Sequence, residues 1–168
     1  MSIWVRLATA DDAPALTELA RQAKSHWGYP PDWIDLWRDE LTITPAYIAE
    51  HTTLVAVEDG VPVGMCALEE RADGGAIENV WIAPDHHRLG VGRALVMRAL
   101  REAATAGLPS VRVVSDPFAE GFYSRLPGPH SSSAARILPA EAGSHNEECN
   151  ATTSTATPQR LIQRDDGN

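Results

Sequence analysis

Residues 87–93, with the sequence His-Arg-Leu-Gly-Val-Gly-Arg, are the part of this 168-residue chain best suited to binding an anion. They follow an apolar run that ends near Pro84, and the spacing of apolar residues after them predicts a helix that opens directly out of the segment. The first turn of a helix presents unpaired backbone N–H groups and the positive end of the helix dipole, and glycine lets a phosphate approach the main chain closely. The segment therefore predicts a binding site for a phosphate or pyrophosphate.

The glycine spacing separates the known phosphate-binding motifs. A Walker loop requires Lys and then Ser or Thr after its second glycine, but Arg93 and Ala94 stand here, and a dinucleotide fingerprint requires a third glycine beyond Gly90 and Gly92. The segment instead resembles the acetyl-CoA loop of the GCN5-related N-acetyltransferase (GNAT) superfamily, Gln/Arg-x-x-Gly-x-Gly/Ala between the fourth strand and the third helix. His87 replaces the usual Gln or Arg. Residues 116–123, Asp-Pro-Phe-Ala-Glu-Gly-Phe-Tyr, extend the resemblance, which covers about three quarters of the chain.

The resemblance implies that acetyl-CoA is the acyl donor and an amine the acceptor. Backbone amides of the loop, with the guanidinium groups of Arg88 and Arg93, would hold the pyrophosphate, although both arginines also suit a solvated helix start. Main-chain groups of the fourth strand would pair with the pantetheine arm, and one amide of that strand would stabilise the oxyanion. The cofactor-binding residues implied are Val80, Trp81, Ile82, His87, Arg88, Leu89, Gly90, Val91, Gly92 and Arg93.

Two residues are candidates for proton transfer. An alkylammonium has a pKa of about 10.4, so the acceptor amine needs a base near neutral pH. The resemblance points to Glu78, acting directly or through water, because the superfamily often places its base on the fourth strand. Tyr123 stands where the superfamily has a tyrosine that protonates the departing CoA sulfur. Strand alternation predicts one face formed by Glu78, Val80 and Ile82 and the other formed by Ile77, Asn79 and Trp81.

Aromatic residues cluster in the predicted helices between the first two strands. In the superfamily this region covers the acceptor site, so the resemblance makes His26, Trp27 and Tyr29 candidates for binding the acceptor, with Trp33 and Trp37 nearby. The other interpretation is that the aromatic rings pack helix against sheet and that His26 is a structural or surface histidine. The sequence leaves both interpretations open.

The pattern of the whole chain predicts an α/β fold. A helix connects the fourth and fifth strands, which favours parallel pairing of those two, whereas Asp59-Gly60 and Asp73-Gly74-Gly75 indicate hairpins. Together with the resemblance, this predicts a GNAT-like mixed central sheet with antiparallel strands one to four, parallel and splayed strands four and five, and helices on both faces. The strands are expected at residues 3–7, 53–57, 61–68, 76–82 and 111–115.

The C-terminal quarter departs from this pattern. Residues 128–168 contain no aromatic side chain and few branched aliphatic ones, so we expect an acetyltransferase domain at 1–127 and a divergent, largely disordered tail at 128–168. Residues 136–139 weakly resemble the superfamily's last strand, which makes the C-terminal strands doubtful. Either the sheet ends at strand five, leaving an exposed edge that would favour a homodimer, or the C-terminus has diverged.

Composition narrows the function further. The net charge of −9 argues against nucleic-acid binding, and no apolar run reaches the roughly 20 residues needed to cross a membrane. No signal peptide is visible, which predicts a cytoplasmic location, and the two cysteines and the pair His86-His87 lack the spacing of a metal site. The sequence thus predicts an N-acetyltransferase that moves an acetyl group from acetyl-CoA to the primary amine of a small-molecule or aminoacyl acceptor in a ternary complex. The alternative is a non-catalytic or degenerate acyl-CoA-binding module.

Overall fold

Three helices follow the first strand, three strands follow these helices, and a fourth helix precedes the last two described strands. The computed structural model describes residues 2–115, 122 and 134–139. The elements are β1 (Ile3–Leu7), α1 (Ala13–His26), α2 (Pro31–Leu36), α3 (Pro45–Glu50), β2 (Thr52–Glu58), β3 (Val61–Arg71), β4 (Gly74–Ile82), α4 (Val91–Thr105), β5 (Ser110–Ser115) and β6 (Ala134–Pro139), with short 3₁₀ turns at Ala10–Asp12 and Pro84–His86.

The strands form one mixed sheet in the order β1-β2-β3-β4-β5-β6. Strands β1 to β4 are antiparallel neighbours, and β4 and β5 are parallel, as predicted. The Asp59-Gly60 hairpin also forms, with both residues at positive φ and Glu58 paired with Val61. The mixed GNAT-like sheet expected from the sequence is therefore confirmed.

The two faces of the sheet carry separate hydrophobic clusters because side chains alternate along the strands. On one face, α4 packs its buried residues, Leu95 among them, against Leu54 of β2 and Ile77 of β4. On the other face, α1 and α3 pack against Val55 of β2 and Met65 of β3. Helices thus cover both faces, and β2 is apolar along most of its length because each face is buried.

Strands β4 and β5 separate after a short paired stretch. Their parallel register comprises Gly75 with Val111, Ala76 with Arg112 and Ile77 with Val113. Beyond Ile77 the described part of β4 continues to Ile82 with β3 alone as its neighbour. The predicted splay is confirmed in the described residues, and the gap between the diverging strands, here called the cleft, lies beside the C-terminal half of β4.

The predicted alternation of side chains along β4 is wrong because the strand contains a bulge. Met65 pairs with Trp81 and Ala67 with Glu78, so Asn79 and Val80 together oppose one residue of β3. Asn79 has φ 50°, which rotates the chain there. As a result Val80 and Ile82 pack with Ile77 on the α4 side, whereas Trp81 packs toward α1. The carboxylate of Glu78 accepts a hydrogen bond from Arg71, and Arg71 also donates to Glu69. Glu78 is thus joined to the same side of the sheet as Trp81.

The sheet does not end at β5. Strand β6 pairs in parallel along the outer edge of β5, from Ser110 with Ala134 to Ser115 with Pro139. This pairing removes the exposed edge on which the expectation of a homodimer rested. The rest of 128–168 lies outside the described residues, so the predicted disorder of the tail stays a prediction.

Candidate functional site

The loop between β4 and α4 has the geometry of an anion site. Arg88 and Gly90 both have left-handed backbone conformations, with φ 64° and 84°, and Gly90 caps the helix without a side chain. The amide of Ala94 donates to the carbonyl of Gly90 at 2.9 Å, so the amides of the three preceding residues lie before the first intrahelical bond. With the helix dipole, these amides form a positive end suited to a pyrophosphate. Arg88, Leu89 and Arg93 are exposed there.

Gly92 allows close packing at the start of α4. A Cβ atom at this position would lie 3.1 Å from Cζ of Phe122 and 3.6 Å from Cγ1 of Ile82. The helix therefore begins beside the end of β4, and a larger residue at position 92 would press on the ring of Phe122. The sequence identified Gly92 through the loop pattern, and the structure adds this packing contact.

Gly64 of β3 supports the same region, and it is not among the site residues predicted from the sequence. A Cβ atom at Gly64 would lie 2.9 Å from Cγ1 of Val91, and 3.0 Å from Cδ1 of both Ile82 and Leu95. The first turn of α4 thus rests against the backbone of β3. A glycine inside an apolar strand is the signal that could have indicated this close approach.

The C-terminal half of β4 forms one wall of the cleft. Val80, Trp81 and Ile82 are half-buried, and in the described residues only β3 pairs with this part of the strand. Backbone groups on the opposite edge are thus positioned to pair with an extended chain that carries amides, in the way a further strand would. The pantetheine arm of CoA is such a chain.

His87 faces helix α1 and the end of β4. Its Nε2 atom lies 3.2 Å from the carbonyl oxygen of Ile82, and its ring stacks on Trp27 and meets the edge of His26. The structure therefore brings His26 and Trp27, which were expected at the acceptor site, against the loop between β4 and α4. The neighbouring His86 bonds with its own Nε2 atom to the carboxylate of Glu58, at 2.9 Å.

Tyr29, Trp33 and Trp37 form an aromatic cluster around α2. The ring centroids of Tyr29 and Trp37 are 5.1 Å apart, and Trp33 contacts both. The ammonium nitrogen of Lys24, on α1, lies 4.7 Å from the ring centroid of Tyr29, 4.8 Å from Trp37 and 6.0 Å from Trp81. These distances are those of cation–π contacts, so the cluster packs α1 and α2 together and reaches β4 through Trp81.

A half-buried polar network surrounds the bulge in β4. The indole N–H of Trp81 donates to Oδ1 of Asn79 at 3.2 Å, and Nδ2 of Asn79 donates to the hydroxyl oxygen of Tyr47 at 2.9 Å. The Tyr47 hydroxyl donates in turn to Oε1 of Glu69 at 2.9 Å. Burial raises the pKa of Tyr47, and the adjacent carboxylate of Glu69 acts in the same direction, so this phenol stays neutral. No local pattern indicates this network, because Tyr47 and Glu69 lie far along the chain from Asn79 and Trp81.

The two candidates for proton transfer differ in what the structure describes. Glu78 is half-buried at the start of the splayed part of β4, and its carboxylate accepts a hydrogen bond from Arg71. Tyr123 lies outside the described residues, next to Phe122.

Two further features of the described residues bear on function. No three or more His, Cys, Asp or Glu side chains are grouped there in a way that could hold a metal ion. The described helices also include none that is long and apolar enough to cross a bilayer.

Comparison with known proteins agrees with this geometry. Among solved structures, the PaiA N-acetyltransferase of Thermoplasma acidophilum, in complex with coenzyme A, has a TM-score of 0.66 and 20% identity, covering 74% of this chain and 86% of its own. A GCN5-related N-acetyltransferase of Ralstonia eutropha has a TM-score of 0.61 and 21% identity, with 78% and 97% covered. A GNAT acetyltransferase of Brucella melitensis, in complex with acetyl-CoA, has a TM-score of 0.54 and 20% identity, with 72% and 81% covered. These likenesses show the fold.

Sequence comparison identifies the family. No curated protein sequence is significantly similar to the chain. The profile of the Acetyltransferase (GNAT) family matches residues 13–126, a range that contains the splayed part of β4, the loop between β4 and α4, and α4 itself. The chain therefore belongs to the GNAT family of acetyltransferases.

Proposed function

We propose that this protein transfers an acetyl group from acetyl-CoA to the primary amine of a small-molecule or aminoacyl acceptor, by direct attack in a ternary complex. One observation carries the proposal: in the described residues β4 separates from β5 after Ile77, and the loop that follows β4 leads into the N-terminus of α4, whose first amides have no intrahelical acceptor. An unpaired strand edge beside an anion-binding helix start is what a CoA thioester needs, since it has an amide-containing arm attached to a pyrophosphate.

Donor binding would use main-chain groups more than side chains. The amides at the start of α4 would hold the pyrophosphate, with Arg88 and Arg93 exposed beside them for charge-assisted contacts. The edge of β4 at Val80, Trp81 and Ile82 would pair with the pantetheine arm. Two of the proteins with this fold have been crystallised with coenzyme A or acetyl-CoA, which supports the choice of donor.

The reaction needs few groups. The amine nitrogen bonds to the acetyl carbon, the carbon–sulfur bond breaks, and the sulfur leaves with the electron pair. We assign the amine's surplus proton to Glu78, directly or through water, and the proton that neutralises the sulfur to Tyr123. An amide of β4 near the bulge would stabilise the charge that develops on the carbonyl oxygen.

The acceptor side is formed by the elements that face Trp81. Helices α1 and α2 cover this side, and Tyr29 lies in the connection between them, where its ring contacts Lys24 of α1. We assign the acceptor to this region, with Tyr29 lining it, whereas the contacts of His26 and Trp27 with His87 give these two a part in shaping the adjoining loop.

The test combines binding and turnover. We expect excess acetyl-CoA to raise the thermal unfolding midpoint, because a ligand of the folded state alone stabilises it. A panel of primary amines should then give CoA release with at least one acceptor. Glu78→Gln and Tyr123→Phe should each lower kcat about 100-fold and leave the Kd of acetyl-CoA within about twofold, as expected for proton-transfer groups.

Two outcomes would contradict the proposal. A raised midpoint without CoA release for any amine would favour the alternative, an acyl-CoA-binding module without turnover. Full activity in Tyr123→Phe or Glu78→Gln at every pH would remove the role assigned to that residue and leave the transfer reaction itself in place.

A further inference from the structure

We infer that Tyr47 is a positioning residue for acyl transfer, which acts through Asn79 to fix the bulge in β4 and so the direction of the amides that face the cleft. The inference rests on the proposed function for its effect on turnover. Its structural part, the coupling between Tyr47 and the bulge, can be measured separately.

The bulge needs support from side chains. Asn79 has φ 50°, a left-handed conformation that costs free energy for residues other than glycine and that asparagine tolerates better than most. Both ends of its carboxamide are used, since Oδ1 accepts from Trp81 and Nδ2 donates to the hydroxyl of Tyr47. The two contacts fix the rotation of the side chain and with it the conformation of the backbone.

Tyr47 is itself held from three directions. Its backbone N–H donates to the hydroxyl of Thr44, the N-cap of α3, at 3.0 Å, and its ring lies 4.5 Å from that of His51. Its hydroxyl group donates to Glu69 on β3, which leaves the hydroxyl oxygen to accept from Asn79. Tyr47 therefore ties the bulge in β4 to the neighbouring strand and to α3.

The bulge lies where β4 separates from β5, so the contact between Tyr47 and Asn79 can affect the backbone amides that face the cleft. The last pair between β4 and β5 is Ile77 with Val113, and the two bulge residues Asn79 and Val80 follow within three positions. Peptide groups rotate at a bulge, so loss of the tie would redirect the amides of Val80 and Trp81 in the cleft. The start of α4, which is proposed to bind the pyrophosphate, has none of these contacts in the described residues. Turnover should therefore suffer more than donor binding.

The main experiment compares Tyr47→Phe with a control in the same helix. Tyr47→Phe should lower kcat about tenfold, since small misplacements at a reacting centre have large effects, while the Kd of acetyl-CoA stays within about twofold. Ile48→Val removes one methyl group from a buried neighbour outside the network and should leave kcat unchanged. The pH profile of kcat should keep its shape in Tyr47→Phe, because a neutral positioning phenol exchanges no proton.

A double-mutant cycle tests whether Tyr47 affects kcat through Asn79. Asn79→Gly keeps the left-handed backbone accessible and removes the carboxamide. If Tyr47 acts through Asn79, adding Tyr47→Phe to Asn79→Gly should change kcat less than twofold. Independent, multiplying losses would overturn the inference, as would equal kcat in the wild type and Tyr47→Phe or a shifted pH profile.

A measurement without turnover separates this inference from the proposed function. In ¹H–¹⁵N spectra, Tyr47→Phe should shift the amide resonances of Val80 and Trp81 and leave those of Gly90 to Arg93 in place. Unchanged Val80 and Trp81 resonances would overturn the inference whether or not the protein is active. Shifted resonances in a protein that releases no CoA with any amine would support the structural tie, refute its role in turnover and count against the proposed reaction.

Discussion

The ring of His87 stacks on the ring of Trp27, with the centroids 5.9 Å apart and the ring planes inclined by 27°. Trp27 is the C-cap of α1, so this contact joins the loop between β4 and α4 to the end of the first helix. On its other side, His87 approaches the carbonyl oxygen of Ile82 at the end of β4. A histidine at the position where the superfamily usually has Gln or Arg thus anchors the loop between a helix and a strand.

This anchoring predicts the effect of truncating the side chain. His87→Ala should raise the Kd of acetyl-CoA about tenfold, because the loop loses its stacked contact and its link to β4 and must be ordered on binding. His87→Phe keeps an aromatic surface for Trp27 and loses only the nitrogen contact, so its Kd should lie between those of the wild type and His87→Ala. Isothermal titration calorimetry would measure all three. An unchanged Kd in His87→Ala would show that the loop holds its shape without this residue.

A pair of glycines offers a matched test of backbone conformation. Gly90 and Gly107 have φ 84° and 74°, at the start and after the end of α4, and a Cβ atom would meet nothing within 4 Å at either position. Alanine should therefore destabilise the fold by a similar amount at both, about 1 kcal/mol from backbone strain. Only Gly90 belongs to the loop that is proposed to bind the pyrophosphate. Gly90→Ala alone should therefore also weaken acetyl-CoA binding, by about tenfold.

Urea unfolding and calorimetry would test this pair. A similar loss of stability in the two variants with a raised Kd only in Gly90→Ala is the expected result. Equal Kd values in the two variants would argue against a pyrophosphate site at the start of α4.

The sequence predicted the parts of the fold that depend on local signals. The Asp59-Gly60 turn forms because these residues accept positive φ, and the loop around Gly90 could be recognised because glycine spacing encodes its shape. The order and direction of β1 to β5 followed from hairpin signals, one helical connection and the superfamily resemblance. The backbone shape of the loop between β4 and α4 therefore agrees with the sequence, and its role in cofactor binding stays a prediction.

Features that depend on contacts between distant residues were not predictable from the sequence. The bulge at Asn79 reverses the expected faces of β4, and the residues around it, Tyr47 and Glu69, come from a helix and another strand. Period-two alternation assumes a regular strand and cannot indicate an inserted residue. Strand β6 lies in a C-terminal region whose overall composition predicted disorder, so its pairing with β5 was not evident from composition.

The thiol of Cys66 should be unreactive in the folded protein. It is fully buried in β3, and burial raises its pKa to about 12, so the thiolate is scarce at pH 8. In a Cys149→Ser variant, which leaves one cysteine, a disulfide reagent should label no thiol in buffer and one thiol in denaturant. The same variant would suit assays that detect CoA through its thiol. Rapid labelling in buffer would instead indicate that β3 opens frequently.

The ion pair between Arg6 and Asp12 predicts a pH dependence of stability. Both guanidinium Nη atoms donate to the carboxylate, at 2.7 and 2.8 Å, and the backbone N–H of Thr9 donates to it as well. The hydrogen bonds from Arg6 are the main cause that lowers the pKa of Asp12 to about 2. The folded state therefore holds the charged form, which adds stability above the unfolded-state pKa near 4 that is lost as the pH falls toward 2.

The variant Asp12→Asn tests this pH dependence, and Asp35→Asn, which breaks an exposed ion pair, serves as the control. With a discount for solvent screening of Arg6, whose side chain is 30% exposed, the variant should lose roughly 1 to 2 kcal/mol of unfolding free energy at pH 7. The difference from the wild type should shrink between about pH 4 and pH 2, where the wild-type carboxyl is protonated. Asp35→Asn, which breaks the exposed pair with Arg38, should cost less than about 0.5 kcal/mol. Urea unfolding at several pH values would decide, and a constant difference down to pH 2 would assign the stability to hydrogen bonding independent of charge.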